Sequence, residues 1–230
     1  PVPRRRTWEP WFDGVAQGNT AQYLDAGTDV RFIERAVKCV ATRYAIDQTR
    51  IYVGGISAGG TLTNRALTFR SDFFAGGVPA SGEWYRTDGV PISVEDVGDA
   101  IVAGRAAPRP LNRAADALEA SINIVLWGGP TDKYYAPGVT PPLLLANYNP
   151  STKLAANYFA SQSRVVTVSC THDLVLPPPV GGHLWPRSQA ITNWLATTLA
   201  SHPKGTPPEA FVLPPTPAGL TCVLGSYLDH

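Results

Sequence analysis

The stretch RIYVGGISAGGTLTNRA, Arg50–Ala66, constrains the fold more than any other part of the chain. A run of branched and aromatic residues enters it, a helix-like run leaves it, and Gly54, Gly55, Gly59 and Gly60 crowd around Ser57 between them. Glycine costs stability inside regular elements, so this cluster requires a reason. Gly55-Ile56-Ser57-Ala58-Gly59 has the spacing G-x-S-x-G. That pattern describes a sharp strand-to-helix turn with the serine hydroxyl lifted above the C-terminal edge of a sheet. Gly55 and Gly59 then remove side chains where strand and helix nearly touch. The free N–H groups and positive dipole end of the helix face the place where an oxyanion would form. The competing reading is a glycine-rich turn with an ordinary serine.

The flanking pattern supplies the context such a turn needs. Apolar residues recur at Val30, Ile33, Val37, Val40, Ala41 and Tyr44, which predicts a helix over Asp29–Tyr44 with Asp29 as its cap. Arg50–Gly55 reads as a strand, Ala58–Asp72 as a helix and Ala75–Gly82 as the next strand. Ile122–Gly129 and Arg164–Cys170 are further strands, and Ser151–Ser161 is a helix. The last helix spans Pro186–Ala200, with Pro186 in its first turn. Residues 1–27 read as loop anchored by Trp8, Trp11 and Phe12. Residues 83–120 are irregular, with a helix over Asn112–Ala120. Strands alternating with helices predict an α/β fold, a mostly parallel sheet with helices on both faces. Residues 1–202 form the catalytic domain in this reading. The Pro-rich tail, 203–230, is irregular and packs on the same domain.

Bulk properties exclude several classes. Net charge is +1 over 230 residues, 16% of residues are charged, and no basic run extends beyond Arg4, Arg5 and Arg6. Nothing calls for nucleic acid or a membrane surface, and no apolar stretch approaches the roughly 20 residues of a membrane span. The absence of methionine leads to the expectation of a processed product or a fragment. Cys39, Cys170 and Cys222 fit no zinc spacing. Pairing of Cys170 with Cys222 would tie down the tail; Cys39 is then a buried helix thiol or the partner of a cysteine outside this chain. This arithmetic leans towards a secreted or periplasmic setting.

A serine hydroxyl needs a base near neutral pH. His202 and His230 read as solvent-facing. His172 follows a strand beside Asp173. His183 lies in VGGHLWP, Val180–Pro186, between the last strand and the last helix. That loop lies over the nucleophile in an α/β-hydrolase arrangement, so His183 is the expected base and His172 its rival. Asp132, just after IVLWGG, is the expected acid to hold the imidazole in one tautomer. Asp173 and Asp96 are substitutes, and a plain turn aspartate is the alternative role for Asp132. The order Ser57, Asp132, His183 is the one this fold uses.

The segments DQTRIYVGGISAGG, INIVLWGGPTDKYY, GGHLWP and TWEPWFD together resemble the polyhydroxybutyrate depolymerase and feruloyl esterase group of α/β-hydrolases. G-H-x-W-P is the most specific of these pieces. The resemblance implies a serine esterase, usually secreted, acting on polyesters or on aromatic esters of plant cell walls. It implies Ser57, Asp132 and His183 as the triad and the Ala58 N–H as one oxyanion donor. No metal or organic cofactor is implied. That group places its first strands and a His-Gly loop, the source of a second oxyanion donor, upstream of the Trp-rich segment. The expectation is therefore a sheet lacking its N-terminal strands in this chain, with the missing segment as a partner. Trp8, Trp11 and Trp185 are candidate contacts for a small-molecule or polymeric ester, with core packing as their competing role. A serine peptidase of the same fold and a non-catalytic binding relative are the rival functions.

Overall fold

A computed structural model describes residues 27–82, 84, 118–135, 138, 140, 144–177 and 180–226. The expectations for the N-terminal loop, Trp8, Trp11, Asp96 and His230 lie outside the described residues. The described elements are α1 (Gly27–Ala41), β1 (Tyr52–Ile56), α2 (Ala58–Phe69), β2 (Gly76–Ala80), β3 (Ser121–Trp127), β4 (Lys133–Tyr135), β5 (Leu144–Asn147), α3 (Asn149–Ala160), β6 (Val165–His172), α4 (Gln189–Ala200) and β7 (Leu220–Leu224).

The main sheet runs β1-β2-β3-β6-β7. Its first four strands are parallel, and β7 lies antiparallel to β6. β4 and β5 form a separate antiparallel ribbon between β3 and α3. Every residue of β3 is buried, as a parallel strand covered on both faces requires. Successive side chains alternate between those faces. Ile122, Ile124 and Leu126 join Ile191, Trp194, Leu195 and Leu199 of α4. Val125 joins Val30 of α1, Leu62 and Ala66 of α2, and Ala155 and Phe159 of α3. Burying each such aliphatic side chain stabilises the fold by roughly 1.5–3 kcal/mol. The sheet is thus an α/β layer with α4 on one face and α1, α2 and α3 on the other. Among the described residues, no strand pairs with the outer side of β1.

Five expectations are corrected. The Pro-rich tail is not wholly irregular: β7 forms beyond Pro217, where Leu-Thr-Cys-Val-Leu offers strand-forming residues and every backbone N–H. Cys222 stands directly opposite Cys170 across the β6–β7 pair, and the two form a disulfide. Cys39 is exposed rather than a buried thiol. α4 starts after Pro186, because Ser188 caps it by accepting the Ile191 N–H. His202 is buried at 1% exposure, with its ring edge-to-face against Phe211 of the tail. The segment 118–120 is not helical; the rest of the helix expected over Asn112–Ala120 lies outside the described residues.

Candidate active site

Ser57 occupies the turn between β1 and α2 with φ 59° and ψ −122°. A non-glycine residue rarely adopts that backbone, and it persists only where the surroundings enforce it. The enforcement is visible. The Ser57 N–H donates to the Ala80 carbonyl at the end of β2, and the Ser57 carbonyl accepts the Thr61 N–H in the first turn of α2. A Cβ on Gly55 would stand 2.7 Å from the Gly59 carbonyl carbon and oxygen. A Cβ on Gly59 itself meets nothing within 4 Å, so the expected collision is one-sided. Gly60, not Gly59, is the second tight glycine, since its Cβ would lie 2.3 Å from the Ala80 carbonyl oxygen.

Asp132 closes a short 3₁₀ turn, Gly129–Thr131, just beyond β3. Its carboxylate is fully buried. It accepts the Ser81 hydroxyl at 2.6 Å and the Gly128 N–H at 3.2 Å on Oδ2. On Oδ1 it meets His183 Nδ1 at 2.9 Å. A carboxylate is an acceptor only, so Nδ1 carries the proton and Nε2 is the basic nitrogen.

The loop carrying His183 is seated by backbone against backbone. The Gly182 N–H donates to the Thr131 carbonyl at 2.8 Å. A Cβ on Gly128 would lie 2.2 Å from the Gly182 oxygen, and one on Gly181, whose φ is +55°, would lie 2.8 Å from the Lys133 oxygen. The paired glycines let the histidine loop press onto the aspartate loop. Trp185, beyond the histidine, is half-buried and packs on the α4 side of the core.

No hydrogen bond joins Ser57 directly to His183 among the described residues; Tyr148 spans the two. Its ring stacks on the His183 imidazole, with centroids 4.0 Å apart and planes inclined by 8°. Its hydroxyl lies 3.4 Å from Ser57 Oγ, at the long end of hydrogen-bond range. Tyr134 approaches the same imidazole edge-on at 5.9 Å. The rival residues stand elsewhere. His172, at the end of β6, is buried at 2% exposure; burial pushes its imidazole below the ordinary value, against the opposing charge of Asp132. The Asp173 N–H donates to Gly219, on the tail side of β6. Ala58 is the first residue of α2.

Ser81 and Tyr148 are missing from the sequence reading. Ser81 was within reach of it: β2 pairs with β1 in parallel, Ile56 opposite Ala80, so the residues following each, Ser57 and Ser81, emerge together at the sheet's C-terminal edge. Tyr148 precedes the proline-marked start of α3, and no local pattern distinguishes it.

The family model of the prolyl oligopeptidase family matches residues 20–90. Over 240 residues the chain is 42% identical to an oxidized polyvinyl alcohol hydrolase of Sphingopyxis sp. (strain 113P3), covering 97% of this chain and 62% of that protein. A protein of the same name from Pseudomonas sp. is also 42% identical, over 96% of this chain and 59% of its own length. The chain therefore spans about three fifths of the curated relatives it matches. Among solved structures, native sOPH superposes with a TM-score of 0.78 at 39% identity, covering 97% of this chain and 68% of that one. A serine-to-alanine variant of pOPH in complex with pNPB gives 0.74 at 40% identity, covering 89% of this chain and 62% of that one. The chain is therefore a homologue of the oxidized polyvinyl alcohol hydrolases and shares the α/β-hydrolase fold.

Proposed function

We propose that Ser57, His183 and Asp132 serve as nucleophile, base and orienting acid, and that the substrate is a carbonyl carbon within a polymer such as oxidized polyvinyl alcohol. One arrangement carries the reading: a buried carboxylate 2.9 Å from the imidazole, and a tyrosine spanning from that imidazole to a serine held in a strained turn. Oγ attacks the carbonyl carbon as its proton passes to Nε2. The carbonyl oxygen gathers negative charge, and the Ala58 N–H at the start of α2 donates to it. The intermediate collapses, the leaving group takes the proton from Nε2, and the acyl group stays on Oγ. Water then attacks the acyl carbon by the same proton route and frees the acid.

The polymer fits this chemistry. Polyvinyl alcohol carries hydroxyls on alternate carbons, so oxidation yields carbonyls separated by one methylene along an all-carbon chain. Attack at one carbonyl sends the C–C electron pair onto that methylene carbon. The second carbonyl stabilises it as an enolate until it is protonated, and the products are a carboxylic acid and a methyl ketone. An ester uses the same machinery with an alkoxide leaving. That second reading, a polyester or an aromatic ester, is supported by the resemblance of Gly182–Pro186 to the polyhydroxybutyrate depolymerase and feruloyl esterase group. The prolyl oligopeptidase match supports the nucleophile, because residues 20–90 hold Ser57 but neither Asp132 nor His183. The Cys170–Cys222 disulfide supports a secreted or periplasmic setting.

Ser57→Ala tests the assignment, with p-nitrophenyl butyrate, a soluble 1,3-diketone and a peptide amide as parallel substrates. The variant should lose at least about 10⁴-fold in kcat. Undiminished turnover removes Ser57 as nucleophile. Cleavage by the wild type of the ester alone, or of the amide alone, transfers the substrate to those classes.

A further inference from the structure

We propose that Tyr148 is a fourth working residue of this site, with its ring clamping the base and its hydroxyl holding the oxygen that must leave Ser57's acyl bond. The inference rests on the Ser57–His183–Asp132 reading above. Its ground is that one buried side chain and its backbone touch all three residues. The Tyr148 N–H donates to the Asp132 carbonyl at 3.0 Å, the ring lies flat on His183, and the hydroxyl meets Ser57 Oγ. Tyr148 is 3% exposed. Its carbonyl accepts the Thr152 N–H in the first turn of α3, so the residue is fixed at both ends of its backbone.

Each contact has a separable consequence. A ring parallel to the imidazole stops it rotating out of its bond with Asp132. The phenol donates to a lone pair of Oγ, which leaves the serine's own proton to point at Nε2. After acylation Oγ is an ester oxygen and the next leaving group. Water adds to the acyl carbon while its proton passes to Nε2. The C–Oγ bond then breaks, its electron pair goes to Oγ, and the Nε2 proton follows. A donor already in place on Oγ stabilises that departing oxygen. The same donor slightly blunts Oγ as an attacking nucleophile. The hydroxyl therefore favours deacylation over acylation, whereas the ring supports both.

The experiment compares Tyr148→Phe and Tyr148→Leu with the wild type, using p-nitrophenyl butyrate in stopped flow and intact-mass detection of the acyl-enzyme. In Tyr148→Phe, deacylation falls about 10-fold, as loss of one hydrogen bond to a charged oxygen allows. The acylation rate stays within about 2-fold, far less than the tenfold that a whole such bond is worth. kcat and KM then fall together, kcat/KM changes little, and acyl-enzyme accumulates. In Tyr148→Leu, kcat/KM itself falls about 100-fold, the scale of a misplaced catalytic group, and Phe rescues it. A Tyr148→Phe enzyme with unchanged kcat, or with lowered kcat/KM and no accumulated acyl-enzyme, overturns the role of the hydroxyl. Tyr148→Leu with wild-type kcat/KM overturns the role of the ring. Failure of the wild type to acylate at Ser57 overturns the nucleophile assignment and this inference with it, a result distinct from either variant's.

Discussion

Ser81 offers a test in which stability and activity should move apart. Its hydroxyl donates to Asp132 Oδ2 at 2.6 Å, both residues are buried, and its own backbone has φ +45°. Two energies are therefore stored at one residue. The hydrogen bond to a buried charge stabilises by about 1.5–3 kcal/mol. The left-handed backbone costs a residue with a Cβ roughly 1 kcal/mol, which glycine escapes. Ser81→Ala loses the bond and keeps the strain, a net loss of about 2 kcal/mol. Ser81→Gly loses the bond and relieves the strain, a net loss of about 1 kcal/mol. Both leave the carboxylate with the Gly128 N–H and His183, so the imidazole loses part of its anchorage equally in each. Urea unfolding should rank the three proteins wild type, Ser81→Gly, Ser81→Ala, with steps of about 1 kcal/mol. kcat/KM on p-nitrophenyl butyrate should fall about tenfold in both variants, the equivalent of roughly 1.4 kcal/mol of transition-state stabilisation. Ser81→Gly no more stable than Ser81→Ala refutes the strain argument. Wild-type kcat/KM in both refutes the claim that Ser81 positions Asp132.

Two further outcomes follow from the elbow and from the buried imidazoles. Gly60→Ala drives a methyl into the Ala80 carbonyl and should cost about 2 kcal/mol or more in thermal unfolding, whereas Gly59→Ala enters open space within a helix and should be neutral or stabilising by up to about 1 kcal/mol; equal stabilities would mean that the helix does not sit where it is drawn. Burial holds His172 and His202 below the ordinary imidazole value. The unfolded chain then binds those protons first, so stability is intact above about pH 6.5 and falls as pH drops through the lower folded-state values, by up to about 1.4 kcal/mol per pH unit for each ring. Urea unfolding between pH 7.5 and pH 5 should show that slope, and His202→Leu should flatten it; an unchanged slope in the variant would remove His202 from the account.

What the sequence disclosed and what it withheld divide along a physical line. The elbow was legible because its constraint is local: a strand, a tight bend and a helix within a few residues leave glycine at Gly55 and Gly60 no substitute. The strands were legible because burial on both faces favours apolar and β-branched residues, and these dominate β3 and β6. β7 was missed because its signal is five residues long and lies behind a proline-rich stretch; it forms because β6 presents an edge and Cys170 a partner. His202 was misread for a related reason, since a position just past a helix end says nothing of the tail that later folds over it. Tyr148 was beyond reach altogether. Its three contacts join residues 57, 132 and 183, so its placement is a product of chain topology and not of neighbours in sequence. Chemistry that depends on a residue's own bend can be read from a motif, whereas chemistry that depends on one side chain touching three distant loops becomes visible only once the sheet has brought those loops to one edge.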